Sequence, residues 1–130
     1  MKLFSITNLF LITVLCFFFS CKEKGDATLK SLEDYQTALD GQINDFETEQ
    51  KTIRQSITEN AASNQDTFAL AKALVPIKTT KFLLETQYDV LTSAIKDYQS
   101  KKMTNQEVTT LLKDQKEYVE NLLDKNTLDK

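Results

Sequence analysis

The sequence predicts an all-α fold: an antiparallel three-helix bundle with a long first helix and a Pro-kinked second helix, preceded by a cleaved apolar leader. Three observations carry this. Beyond the leader, only Gly25, Gly41 and Pro76 interrupt a chain rich in Leu, Lys, Glu, Gln, Asp and Thr, with no alternating β-branched run of strand length. Apolar residues recur in steps of three and four along three long stretches. Short polar segments with helix-start chemistry separate those stretches.

The leader comes first. Met1-Lys2 gives a short positive start, and residues 3–19 are apolar, diluted only by Ser5, Thr7, Asn8 and Thr13. Ser20-Cys21 closes the run and Lys22-Glu23-Lys24 opens the hydrophilic chain. That three-part order is the signature of a secretory signal peptide, here residues 1–20. An uncleaved anchor needs about 20 apolar residues, which residues 3–21 barely supply. A plain signal peptide lacks small residues ahead of Ser20, and Cys16 follows Leu15 rather than a small residue.

Phe18-Phe19-Ser20-Cys21 resembles the lipobox of bacterial lipoproteins. Ser20 and Cys21 match its pattern, while Phe18 and Phe19 depart from the usual aliphatic and small pair. The resemblance covers roughly the first 22 residues and implies that Cys21 is the lipidation site, carrying palmitate-type chains on the new N-terminus. It also implies an envelope location. Lys22 stands where Asp favours the inner membrane in enteric bacteria, which points to the outer membrane, on its periplasmic or its surface face. Each buried methylene contributes about 0.8 kcal/mol, so two or three acyl chains hold durably where one holds only marginally.

Residues 21–27 read as the lipidated cysteine and a flexible spacer, and residues 28–130 as the helical domain. A first helix over about residues 28–60 carries Leu29, Leu32, Leu39, Ile43, Phe46, Ile53 and Ile57 as a heptad seam of coiled-coil type, with Gln36 and Gln50 filling its gaps. Gly41 falls on the solvent side. Residues 60–64 form a turn, and Ser63-Asn64-Gln65-Asp66 fits an N-capping pattern. The second helix carries Phe68, Leu70, Leu74, Val75, Ile77, Leu84, Tyr88, Leu91, Ile95 and Tyr98. Pro76 lacks an N–H and clashes with the carbonyl four residues back, so a kink or break is expected near Leu74 and Val75. Lys101 and Lys102 close this helix with the charge its C-terminus prefers. Thr104-Asn105-Gln106-Glu107 is a capping box, and Val108, Leu111, Leu112, Tyr118, Val119, Leu122 and Leu123 form the stripe of a third helix that frays beyond Lys125.

Composition excludes much chemistry. With Lys2 in the leader, the rest of the chain carries 15 basic against 19 acidic groups, and this mild acidity supplies no basic face for nucleic acid. There is no histidine, and both cysteines, Cys16 and Cys21, fall within or at the end of the leader. The densest acidic positions, Glu33-Asp34, Asp45, Glu47 and Glu49, and the pair Glu117 and Glu120, read as solvated helix faces. Asp40-Gly41-Gln42 lies inside the heptad pattern and lacks the other ligands of a calcium loop. No catalytic residue, metal or cofactor is expected. Contact residues for a partner are sought at Val75, Pro76 and Ile77, a bent apolar lip, and at Tyr88 and Tyr98. The resulting expectation is a membrane-anchored lipoprotein with a non-enzymatic, protein-binding helical domain. An envelope spacer or coiled-coil oligomer, and a bundle that binds a small ligand or lipid, are the alternatives.

Overall fold

Helix-forming residues with polar breaks near residues 63 and 103 leave the chain little choice but three helices. The computed structural model describes the backbone of residues 4–128 and the side chains of residues 27–125. Its helices are α1 (Phe4–Ala62), α2 (Phe68–Gln99) and α3 (Asn105–Leu128), with no strand among the described residues. The leader, Cys21 and the spacer ahead of Ala27 lie outside the residues whose side chains are described.

Local chemistry sets the helix ends. Past α1, Asn64 adopts a left-handed backbone (φ 55°). The Gln65 N–H donates to the Asn60 carbonyl at 2.8 Å and the Asn64 N–H to that of Ala61 at 3.2 Å, the paired bonds of a Schellman motif. The same motif closes α2, with Lys101 at φ 58°. There Lys102 donates to Asp97 at 2.8 Å and Lys101 to Tyr98 at 3.0 Å. At the start of α2, Thr67 offers no side-chain cap, and the Asp66 carboxylate accepts the Phe68 N–H at 2.9 Å instead. The expected capping box of α3 is present. The Thr104 N–H donates to the Glu107 carboxylate at 2.7 Å, and the Glu107 N–H donates back to the Thr104 hydroxyl at 3.3 Å.

The polar residues inside the helices are accommodated locally. Thr48, Thr52 and Ser56 donate their hydroxyls to the carbonyls of Asn44, Thr48 and Thr52, so one face of α1 carries a ladder of back-bonded side chains. Gly41 is exposed with open space around it, as its place in the heptad requires.

Packing joins the helices through one apolar cluster. Leu32, Leu39 and Ile43 of α1 meet Leu84, Leu91 and Ala94 of α2 and Val108 and Val119 of α3, with Tyr35, Phe46, Tyr88 and Ile95 against them. α1 and α2 share the broadest contact. Gln36 donates to the Thr92 hydroxyl at 2.7 Å, and Lys81 lies 4.0 Å from Glu47, so residue numbers rise along one helix as they fall along the other. Gln36 thus fills its gap in the seam by bonding across it. α3 follows the direction of α1: Thr28 and Ser31 adjoin Val108 and Leu112, while Tyr35 and Gln42 adjoin Lys116 and Leu123.

This offset puts the end of α3, Leu128, level with about residue 47 of α1. Beyond that level residues 48–62 of α1 and the first turns of α2 extend as a two-helix hairpin about 20 Å long. The hairpin buries Leu74, Ile77 and Thr80, which lie outside the main cluster.

Of the kink or break expected at Pro76, the structure excludes the break: α2 continues from Phe68 to Gln99. It tolerates the ring because Pro76 is exposed and one missing bond is outweighed by packing on both sides of it. Of the apolar positions along this helix, Phe68 and Val75 stand outside the core, being 72% and 63% exposed. They sit more than a quarter of a turn away from Leu74, Ile77 and Leu84, which face α1.

Candidate functional site

The residues sought as partner contacts separate into two groups. Ile77 is buried and Tyr88 packs against the apolar cluster, so neither forms part of an exposed lip. Tyr98 is half-buried, and its hydroxyl donates to the Asn105 side chain at 2.8 Å, tying the end of α2 to the start of α3. Val75 and Pro76 face solvent.

Val75 does not stand alone there. Phe68 and Phe82, each seven residues away, are 72% and 65% exposed, and the three align on the side of α2 turned away from α1. The sequence reading counted Phe68 and Val75 among the apolar positions of the helix, sought Val75 also in an exposed lip, and passed over Phe82. The signal was the seven-residue repeat itself, offset from the repeat Leu70, Ile77, Leu84, Leu91. Two parallel apolar repeats on one helix mark two faces, of which only one can meet α1. Thr79 and Thr86 border the outer stripe, and their hydroxyls are spent on the carbonyls of Val75 and Phe82. Lys72 flanks it on one side and Lys78 on the other.

The electrostatics of this half of α2 are one-signed. Between Asp66 and Glu85 the chain carries Lys72, Lys78 and Lys81 and no acidic residue. Lys81 is only 21% exposed and lies 3.2 Å from Glu85 and 4.0 Å from Glu47. The Glu47 carboxyl is held below its ordinary range, first by the hydrogen bond and charge of Lys51 and then by the charge of Lys81. Lys72 and Lys78 have no ion-pair partner among the described residues.

A second feature lies between α1 and α3. Tyr35, Gln42, Lys116 and Glu120 line a cleft of about 140 Å³, with the Lys116 ammonium 5.6 Å from the centre of the Tyr35 ring. The Tyr35 hydroxyl and the Gln42 side-chain oxygen are buried there without a protein partner. Burial, and secondarily the charge of Glu120, raise the Tyr35 pKa above its ordinary value. The cleft is a few water molecules in size, well short of the several hundred cubic ångströms that a drug-sized ligand occupies. Larger clefts of about 320 and 440 Å³ are open grooves along α3.

The acidic positions stay apart from one another. Asp34 pairs with Lys30 at 2.7 Å, Glu117 and Glu120 are exposed, and no group among the described residues could hold a metal ion. Among the residues whose side chains are described, no helical stretch is long and apolar enough to cross a membrane. Leu32, Leu39, Ile43 and Phe46 of the α1 seam pack against α2 and α3 within the chain. No protein family, curated protein or solved structure matches this chain.

Proposed function

We propose that this chain is a lipid-anchored bacterial envelope protein whose residues 28–130 form an antiparallel three-helix bundle that binds another protein without catalysing a reaction. One observation carries the reading: a positive start, an apolar run and Ser20-Cys21 stand in that order ahead of a charged chain. Cys21 takes the acyl chains, the leader is removed, and the lipid holds the molecule at the bilayer, in the outer membrane by the Lys22 rule. The non-enzymatic part is supported by composition, since a chain without histidine and with no thiol after Cys21 has neither imidazole base nor free nucleophilic sulfur. Protein binding is supported by the apolar stripe of α2, because contiguous exposed apolar residues mark interaction surfaces.

The test is intact mass of the native product, with proteinase accessibility on whole cells carrying either the natural chain or Cys21→Ala. The proposal expects a mass that starts at Cys21 and includes acyl chains, and loss of membrane retention in the variant. An unmodified polypeptide still bearing Met1 overturns it.

A further inference from the structure

The outer stripe of α2 carries the furthest consequence. Phe68, Val75 and Phe82 lie on one line about 21 Å long, two turns apart, and most of each side chain is in water. Lys72 adjoins Phe68 and Val75 on one side of the line, and Lys78 adjoins Val75 and Phe82 on the other. Each lysine is therefore placed like a charged position beside a coiled-coil seam. The first acidic group along the line, Glu85, is already engaged by Lys81.

The occupant of such a face must supply apolar side chains at heptad spacing and negative charge on both flanks. A second copy paired stripe to stripe does not. Pairing the stripe with itself about Val75 brings the two copies' Phe68 and Phe82 together but gathers four lysines along one seam. A partner helix with acidic flanks meets both demands, and the molecule already uses that pairing where α1 sets Glu47 against Lys81. An extended lipid surface matches the charge but not the shape, since a stripe one residue wide on a rod presents little area to a plane.

We infer that the Phe68, Val75 and Phe82 face of α2, with Lys72 and Lys78, docks an acid-flanked amphipathic helix of another protein. This deepens the protein-binding reading above and rests on it. The partner helix lies along the two-helix hairpin, and its aliphatic seam interleaves with the two phenylalanines. Lys72 and Lys78 set its charge preference.

The test uses the purified full chain in a neutral detergent and two synthetic amphipathic helices of about three turns each side of a common leucine seam. One has Glu at its flanking positions and the other Lys. Titration calorimetry is expected to show the Glu peptide binding at least about tenfold tighter than the Lys peptide, with the difference shrinking as salt rises. Val75→Glu is expected to weaken the Glu peptide by about tenfold or more, and Lys72→Glu with Lys78→Glu to reverse the preference. Circular dichroism of the variants guards against misfolding, and the reversal itself requires a folded face.

Equal binding of the two peptides, or no binding of the Glu peptide, overturns the inference. So does self-association in sedimentation that Val75→Glu abolishes, which makes the occupant a second copy. Stronger sedimentation with phosphatidylglycerol-containing than with phosphatidylcholine vesicles, lost in the double lysine variant, also overturns it and makes the occupant a membrane. The intact mass at Cys21 is a separate readout. A missing lipid removes the envelope setting, whereas a failed peptide titration removes this face and leaves the anchor standing.

Discussion

The two ends of the helical domain solve the same packing problem differently. Near residues 28–47 each helix has two neighbours, and Leu32, Leu39, Leu84, Leu91 and Val108 are sealed from water. Toward the turn at residues 63–67, α1 and α2 have only each other, and the deepest residues are Leu74, Ile77 and Thr80. A helix with one neighbour buries one stripe and leaves its back bare. In α2 that bare back is apolar through the two-helix end and at its border, with Phe68, Val75 and Phe82. Farther into the three-helix end the same line is polar, with Asp89 and Ser93, and beside it Val90 is 38% exposed. Lack of a third helix alone does not explain apolar residues on the outer face, since polar ones would serve there as well. The difference separates a part that holds the fold from a part whose surface chemistry exceeds what the fold needs.

The comparison can be broken at several strengths. Leu84→Ala removes a fully buried side chain where all three helices meet, and urea unfolding should show a loss of about 3 kcal/mol. Pro76→Ala restores the N–H that can bond the Lys72 carbonyl and removes the ring clash in the two-helix end. A gain of about 2 kcal/mol is expected, read as a raised thermal midpoint. Lys101→Gly relieves a left-handed residue that bears a Cβ, and about 1 kcal/mol of stabilisation should appear in the same measurement.

Acid weakens two local contacts within the three-helix part. The Glu107 carboxyl is held below its ordinary value of 4.5 by hydrogen bonds from the Thr104 N–H and then its hydroxyl, and Glu47 is lowered chiefly by Lys51. A depressed folded-state pKa contributes stability that is full above the unfolded value and is lost as pH falls through the folded one. The urea midpoint should therefore decline from about pH 5 downward, and Glu107→Gln should flatten that decline. The smallest effect is the most telling. Phe82→Ser, two positions from Leu84, should change stability by less than about 0.5 kcal/mol, because the ring it removes is already in water. A loss as large as that of Leu84→Ala would erase the distinction between the two faces.

Much of this was legible in advance. The steps of three, seven and four residues from Leu29 through Leu32 and Leu39 to Ile43, and the Thr104 to Glu107 box, specify helices from local chemistry, and the structure contains them. The C-terminal caps were not legible, because Asn64 and Lys101 take the left-handed position that glycine usually advertises. Whether Pro76 breaks α2 or leaves it continuous was not legible either, since local sequence reports the lost hydrogen bond and not the tertiary contacts that outweigh it. The outer stripe was read only at Val75, for a related reason. Apolar periodicity tells that a residue lies on a face, but which of two apolar faces meets a neighbour depends on where the other helices are, and that is a property of the whole chain. The Tyr35 and Gln42 cleft depends on side chains from separate helices and leaves no mark in either one.

Native-state hydrogen exchange compares the two ends directly. The account predicts that amides of residues 32–46 and 84–95 exchange only through global unfolding, while those of residues 52–60 and 72–80 open at lower free energy and as one unit. Equal protection along the full length of α1 and α2 would contradict it.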